Sequence, residues 1–224
     1  NRGKSGASSK SFYRESAYWP TMVTGGSDAM QAGDFLIIQF AHNDEKNGGA
    51  DGDVVKQYYN SIGDAATASA TDYRGTTASG TFKEYIRKYI NEAKAMGVKP
   101  IVVAPICRKY FATGGQSIRR NGKHDLGDNF TKCDGTSLST GNKVPESDNT
   151  YDYVEQAKAV AYEYDDVPFI DLTALTEQLY LKYGEAYCTL NLFRNDDSTH
   201  PSALGATLIA REFAQQLKLQ ATTE

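Results

Sequence analysis

Cysteine is scarce in this sequence, which contains only Cys107, Cys133 and Cys188. None of the three belongs to a CxxC pair, and this spacing argues against a structural zinc site. An odd number of cysteines leaves at least one thiol free. The sequence leaves open whether Cys107 and Cys133 form a disulfide across the long loop between them.

Long apolar runs and an excess of positive charge are also missing. No stretch approaches the ~18 apolar residues needed to span a bilayer, and 24 basic against 28 acidic residues give a net charge of −4. We therefore expect no membrane span and no nucleic-acid partner, which would require a basic stripe. The densest basic stretch, Arg119 to Lys123, is interpreted as a solvated loop face. The chain opens at Asn1 and not at Met, so its start indicates no compartment.

What the sequence does contain is an alternation of apolar strands and amphipathic helices. Such an alternation predicts an α/β fold with a parallel sheet and helices on both faces, and 224 residues suit a single domain, residues 1–224. The polar stretch 47–80 is either a functional loop or contains a short helix of its own. The predicted strands are 34–40, 100–106 and 167–172, and the predicted helices are 81–96, 151–164, 173–183 and 201–219.

The two long polar loops both follow the carboxyl end of a predicted strand, after Phe40 and after Ile106. In parallel sheets the ligand binds beyond these ends. The first loop opens with Asn43, whose amide could donate a hydrogen bond into the crevice, as an oxyanion hole requires. The alternative is an ordinary turn, because Asn is common directly after strands.

A second candidate is the segment that enters the last predicted helix. Asp197 precedes His200 by three residues, so its carboxylate can reach the imidazole, as a catalytic base requires. The alternative is a helix N-cap cluster with an incidental histidine. A third candidate is the small-residue segment at the start of the chain, where Gly6 allows a backbone to approach a ligand closely. Taken by itself, this segment is an ordinary turn.

Together and in this order, the three segments resemble the motif blocks of SGNH (GDSL-like) hydrolases, closest to the rhamnogalacturonan-acetylesterase-like carbohydrate esterases. Asn1 to Phe12 is similar to the block N-x-A-x-x-G-x-S-S-x-S-F, with Gly3 in place of its alanine. Gln39 to Asp44 is similar to Q-F-G-H-N-D, with Ala41 in place of the glycine. Asp197 to His200 matches D-x-x-H and is followed by Pro-Ser-Ala-Leu-Gly-Ala, which is also typical of the family.

The resemblance implies a flavodoxin-like three-layer α/β/α sandwich and a serine esterase. It implies that His200 is the general base, that Asp197 orients it, and that Gly6 and Asn43 contribute to the oxyanion hole. No metal or organic cofactor is implied. The implied substrates are acetylated plant cell-wall polysaccharides or oligosaccharides, usually pectic ones, and this substrate class implies a secreted or periplasmic protein. Arg108, Tyr110, Arg119 and His124 are candidates for lining the sugar subsite.

The family block G-D-S, which carries the nucleophile, does not occur in this sequence. Four Gly-Asp pairs are present, but Phe35, Val54, Ala65 and Asn129 follow them. The serines near Gly6 hold positions that shape the loop in the family and do not attack the substrate. The nucleophile is therefore expected upstream of this chain.

The strand that precedes G-D-S is central in the family's sheet. A sheet without it leaves buried backbone groups unpaired, at about 1–3 kcal/mol each. We therefore expect a chain that is incomplete at its N-terminus and lacks the first strand–helix unit. Either about 30–40 upstream residues, the usual size of such a unit, form a separate segment or chain, or a partner strand fills the position.

Two other readings of the sequence stay open. One is a non-catalytic carbohydrate-binding or scaffold protein on the same fold, which lacks the serine altogether. In that case Asn43, Asp197 and His200 would have no catalytic role. The other is a flavodoxin-like binding protein without esterase ancestry.

Overall fold

The structure is a computed structural model that describes residues 1–132, 137–138, 143–195 and 197–221. Its centre is a parallel sheet of three strands in the order β1-β2-β5, in which β1 pairs with β2 along its whole length and β2 pairs with β5 through two residues. A short antiparallel pair, β3 and β4, lies outside this sheet. The strands are β1 (Phe35–Ile38), β2 (Lys99–Val103), β3 (Phe130–Thr131), β4 (Ser137–Leu138) and β5 (Phe169–Ile170).

The α-helices of the described residues range from one turn to five. Five π- or 3₁₀-type turns accompany them in the described part of the chain, and α6 follows one of these directly, at Ala78–Phe82. The helices are α1 (Ser9–Arg14), α2 (Trp19–Thr24), α3 (Lys46–Gly49), α4 (Gly52–Ser61), α5 (Ala65–Ala70), α6 (Lys83–Ala95), α7 (Tyr153–Ala161), α8 (Leu172–Tyr183), α9 (Glu185–Tyr187) and α10 (Ala203–Ala221).

Helices cover both faces of the sheet because the strands are apolar on both sides. On one face, Leu36, Ile38 and Val102 pack in a core with residues of α6 and α7. On the other, Ile101 and Val103 pack in a second core with residues of α8 and α10. The strands are nearly continuous apolar runs, as expected for parallel strands buried on both faces, although β1 is buried on one face only. The molecule is thus a mixed α/β fold with a small parallel sheet between helices.

The predicted helices and strands are present with shifted ends. All three strands are shorter than predicted, and α6 starts two residues later because the turn at Ala78–Phe82 precedes it. The stretch 47–80 contains α4 and α5, so the alternative with a helix of its own is the correct one. Asp51 and Asp64 cap these two helices by accepting hydrogen bonds from backbone N–H groups of the first turn.

Strand β1 forms an edge of the sheet. No strand of the described residues pairs with its outer side. Two of its side chains, Phe35 and Ile37, are 67% and 51% exposed, although Ile101, the residue of β2 that pairs with Ile37, is buried. The predicted missing strand would lie against this edge, and it stays a prediction.

The two described cysteines carry free thiols. Cys107 and Cys188 are buried, and the Sγ atom of Cys107 donates a hydrogen bond to the carbonyl of Thr173 at 3.3 Å. Cys133 lies outside the described residues. Within the parts of the chain that the structure describes, no helix has the length and apolar character of a membrane span, and no cluster of metal-ligating side chains is found.

Candidate active site

Asp197 and His200 contact each other in the turn that leads into α10. Oδ2 of Asp197 accepts a hydrogen bond from Nδ1 of His200 at 2.6 Å. The other oxygen, Oδ1, accepts from the backbone N–H groups of Thr199 at 2.6 Å and of His200 at 2.9 Å. The carboxylate therefore fixes both the course of the turn and the orientation of the imidazole.

This geometry leaves His200 in the form that a general base needs. The backbone N–H groups of His200 and Thr199, together with the imidazole, lower the pKa of Asp197 to about 2, so the carboxylate is ionised at neutral pH. An ionised carboxylate at Nδ1 holds the ring proton there and leaves the lone pair on Nε2. His200 is largely exposed, and its Nε2 has no hydrogen-bond partner among the described residues.

Asn43 and the Gly6 loop lie side by side. Nδ2 of Asn43 donates a hydrogen bond to the carbonyl of Ala7 at 3.2 Å, and its second N–H is free to donate elsewhere. Gly6 has φ +80°, a conformation that side chains disfavour, and Arg74 donates to its carbonyl at 2.8 Å. Within the described residues the N–H of Gly6 makes no hydrogen bond. The loop thus presents two donors, one backbone and one side-chain.

Asp44, the residue after Asn43, holds the Asn43 loop against the segment that follows Gly6. Its fully buried carboxylate accepts from the backbone N–H and the hydroxyl of Ser9 and from the hydroxyl of Thr76. Ser8 and Ser11 are equally buried, and they cap α1 reciprocally. These serines shape the loop, in line with their predicted role.

The buried carboxyl of Asp44 predicts an unusual dependence of stability on pH. Burial raises its pKa from 3.8 to about 6, although the hydrogen bonds from Ser9 and Thr76 oppose this. Between pH 4 and pH 6 the folded protein keeps the proton that the unfolded chain loses, so stability falls as pH rises through this window. The shift corresponds to about 3 kcal/mol.

The measurement is urea unfolding of the full-length protein and of Asp44→Asn, which cannot titrate, at pH 4 and pH 7. The stability of the wild type relative to the variant should drop by about 2 kcal/mol between the two values, because at pH 4 part of the effect is already lost. Other titrating groups cancel in this comparison. A difference that is the same at both values would show that the pKa of Asp44 is not raised.

Ala41 occupies a strained backbone position beside Asn43. Its φ of 137° lies in a region that favours glycine, and the matching position of the resembled motif is a glycine. Such a conformation costs about 1–3 kcal/mol. We expect Ala41→Gly to stabilise the protein by about 1 kcal/mol, after about 0.5–1 kcal/mol is lost to the greater freedom of glycine in the unfolded chain.

Urea unfolding measures this effect, with Ala210→Gly as the matched control. Ala210 is exposed within α10, where the same change should destabilise by about 0.5–1 kcal/mol. If Ala41→Gly lowers the free energy of unfolding as Ala210→Gly does, the backbone at Ala41 is not strained.

Arg108 connects the two candidate segments. Its Nη1 donates to the hydroxyl of Thr199 at 3.0 Å, and its Nη2 donates to the carbonyl of His42 at 3.1 Å. Through these contacts the turn of His200 and the loop of Asn43 meet at the carboxyl end of β2. The catalytic roles of the four predicted residues stay predictions.

Two of the candidates for the sugar subsite prove to be interior residues. His124 is fully buried, and its ring nitrogens face Glu45 and the carbonyl of Ile106. Arg108 is 14% exposed and is paired with Glu45. Glu45 was not among the predicted site residues. Its position directly after the motif Gln39 to Asp44 is the one sequence feature that could have marked it as part of the site.

Comparison with known proteins supports the motif resemblance. No family model matches the chain. It is 26% identical to rhamnogalacturonan acetylesterase RhgT of Bacillus subtilis (strain 168) over 230 aligned residues, which cover 97% of this chain and 73% of the relative. It is 25% identical to the probable rhamnogalacturonan acetylesterase YesY of the same organism over 114 residues, which cover 51% of this chain and 40% of that relative.

A solved structure shows a similar fold. The crystal structure of protein YXIM from Bacillus subtilis superposes with a TM-score of 0.59 and 19% identity, covering 96% of this chain and 44% of that protein. At this identity the likeness concerns the fold alone. The two curated relatives confirm the resemblance to rhamnogalacturonan acetylesterases that the motifs predicted.

Proposed function

We propose that this chain, which is similar to two curated rhamnogalacturonan acetylesterases, forms most of the active site of a serine esterase of the SGNH type that removes acetyl groups from pectic polysaccharide. The observation that carries the proposal is the Asp197–His200 pair, with an unpartnered Nε2, joined through Arg108 to the loop of Asn43. Substrates of this class lie outside the cell, so we propose a secreted or periplasmic location.

The proposed reaction is acyl transfer in two halves. Nε2 of His200 takes the proton of a serine hydroxyl while its oxygen attacks the acetyl carbonyl, and the ionised Asp197 stabilises the resulting imidazolium. The N–H of Gly6 and the free N–H of Asn43 donate to the oxyanion. The sugar hydroxyl leaves with the proton from His200. Water, activated by the same imidazole, then releases acetate and regenerates the serine.

The serine is proposed to lie on a segment outside these 224 residues that pairs with the open edge of β1. A groove of about 690 Å³ runs along this strand from Phe35 to Asn43. Most of the side chains that line it are apolar, as an incoming strand requires, and Phe35 and Ile37 are left largely exposed. A parallel strand placed there would end beside Asn43, where a nucleophile is needed.

His42 provides a second argument for an occupant of the groove. Its Nε2 is buried and has no hydrogen-bond partner, and burial together with the neighbouring His124 lowers its pKa. Buried polar atoms without partners are rare because each costs about 1–3 kcal/mol. The residue lines the groove, and we propose that its ring turns when the segment docks, so that Nε2 meets a polar group of that segment.

Labelling with a fluorophosphonate tests the proposal. The full-length protein should hydrolyse 4-nitrophenyl acetate, lose this activity on labelling, and carry the label on a serine outside residues 1–224. A label on a serine within them would overturn the assignment of the nucleophile.

A non-catalytic carbohydrate-binding or scaffold protein is the second candidate, favoured by the missing G-D-S block. It would show neither labelling nor hydrolysis, while it would still bind acetylated pectic oligosaccharides. Binding without turnover would therefore decide for this candidate and against the esterase.

A further inference from the structure

The structure assigns Arg108 as a positioning residue that sets the distance between the oxyanion donor Asn43 and the base His200. This inference rests on the proposed esterase function. Arg108 follows β2, the middle strand, so its guanidinium lies between the loop that follows β1 and the turn that precedes α10. These two segments are separated by more than 150 positions in the chain, and no local structure holds them together.

The guanidinium has the geometry to bridge them. Its Nη1 donates to the hydroxyl of Thr199, the residue before His200, at 3.0 Å. Its Nη2 donates to the carbonyl of His42, the residue before Asn43, at 3.1 Å. Each contact thus lies one residue from a predicted catalytic group. A planar guanidinium holds several donors in a fixed fork, which a lysine ammonium cannot reproduce.

Two buried partners hold Arg108 in place. Oε2 of Glu45 accepts from its Nη2 at 2.7 Å, and Oε1 of Glu45 lies 2.5 Å from Nδ1 of His124. Nε2 of His124 lies 2.8 Å from the carbonyl of Ile106. Burial alone would raise the pKa of Glu45, but the charges and hydrogen bonds of His124 and Arg108 hold it below its ordinary value. The carboxylate of Glu45 is therefore ionised, and its ion pair with Arg108 fixes the position of the guanidinium.

A backbone hydrogen bond also connects the segment after β2 to the turn of His200, but it does not reach the Asn43 loop. The N–H of Lys109 donates to the carbonyl of Ser198 at 2.8 Å and so ties the segment after β2 to the turn of His200. Among the described residues, Arg108 is the side chain that extends this tie to the Asn43 loop. Its removal should let the loop move relative to the turn while both stay folded. A displacement of about 1 Å at such a site can cost ~100-fold in rate.

The test is Arg108→Lys in the full-length protein, which keeps the charge and loses the fork. We expect kcat for 4-nitrophenyl acetate, expressed per site titrated with fluorophosphonate, to fall about 10- to 100-fold, with KM within about twofold of the wild type. Arg211→Lys, an exposed position on α10, is the control and should change neither. Thr199→Val should lower kcat in the same direction, and the double variant should be less impaired than the product of the two effects.

The outcomes separate positioning from other roles. A rise in KM at constant kcat would assign Arg108 to substrate binding and overturn the inference. A loss confined to the number of titratable sites, with normal kcat per site, would assign it to stability and also overturn it. A crystal structure of Arg108→Lys gives a readout that does not depend on the reaction. The distance between Nδ2 of Asn43 and Nε2 of His200 should increase, and an unchanged distance would refute the positioning role. An inactive wild type would instead refute the esterase proposal.

Discussion

His200→Ala should lower kcat for 4-nitrophenyl acetate by about 10⁴-fold or more, with KM little changed. The imidazole is the group that accepts the serine proton and later returns it to the leaving sugar hydroxyl, and no other basic side chain of the described site replaces it. His42 is buried and its pKa is lowered by that burial, and His124 is enclosed by Glu45 and a carbonyl. The remaining rate would come from the oxyanion donors and from substrate binding.

The loss should occur without loss of the fold, because His200 is largely exposed and, within the described residues, its side chain hydrogen-bonds to Asp197 alone. Urea unfolding should agree with the wild type within about 0.5 kcal/mol. Gln215→Ala, an exposed position on α10, serves as the matched control and should retain full activity. A His200→Ala protein within tenfold of the wild type would contradict the proposed base.

The predictable part of this site is the part that is local in sequence. Asp197 and His200 contact each other because a spacing of three residues in a turn allows it, so the motif alone predicts the contact. The strands and most helices follow from apolar periodicity in the same way. Helices α4 and α5 are harder to predict from the sequence. Their N-cap residues, Asp51 and Asp64, lie in a polar, glycine-containing stretch that is equally typical of a loop.

The interior network behind the site could not be read from the sequence. Glu45, Arg108 and His124 come from three separate segments, and none of them forms a pattern with its neighbours. Polar residues in long loops suggest solvent or substrate contacts, and for this reason His124 was a candidate for the sugar subsite. Its complete burial depends on tertiary packing that brings Glu45 and the Ile106 carbonyl to its two nitrogens.

Asp197→Asn should lower kcat about 10⁴-fold while leaving the turn in place. Oδ1 of Asp197 accepts two backbone N–H groups, so in the variant the amide oxygen should keep that position and the amide nitrogen should face Nδ1 of His200. An amide nitrogen donates and cannot accept. The ring proton would then move from Nδ1 to Nε2, the atom that must receive the serine proton.

The two readouts for this variant are kinetics and the ¹⁵N NMR spectrum of His200. In the spectrum, the proton should be on Nδ1 in the wild type and on Nε2 in the variant. Asp166→Asn is the control, because Asp166 is an exposed partner of Lys94, and it should change neither readout. A large loss of kcat without a change of tautomer would mean that Asp197 acts chiefly through its charge. A loss below tenfold would contradict its role beside His200, because the geometry gives the base no other carboxylate among the described residues.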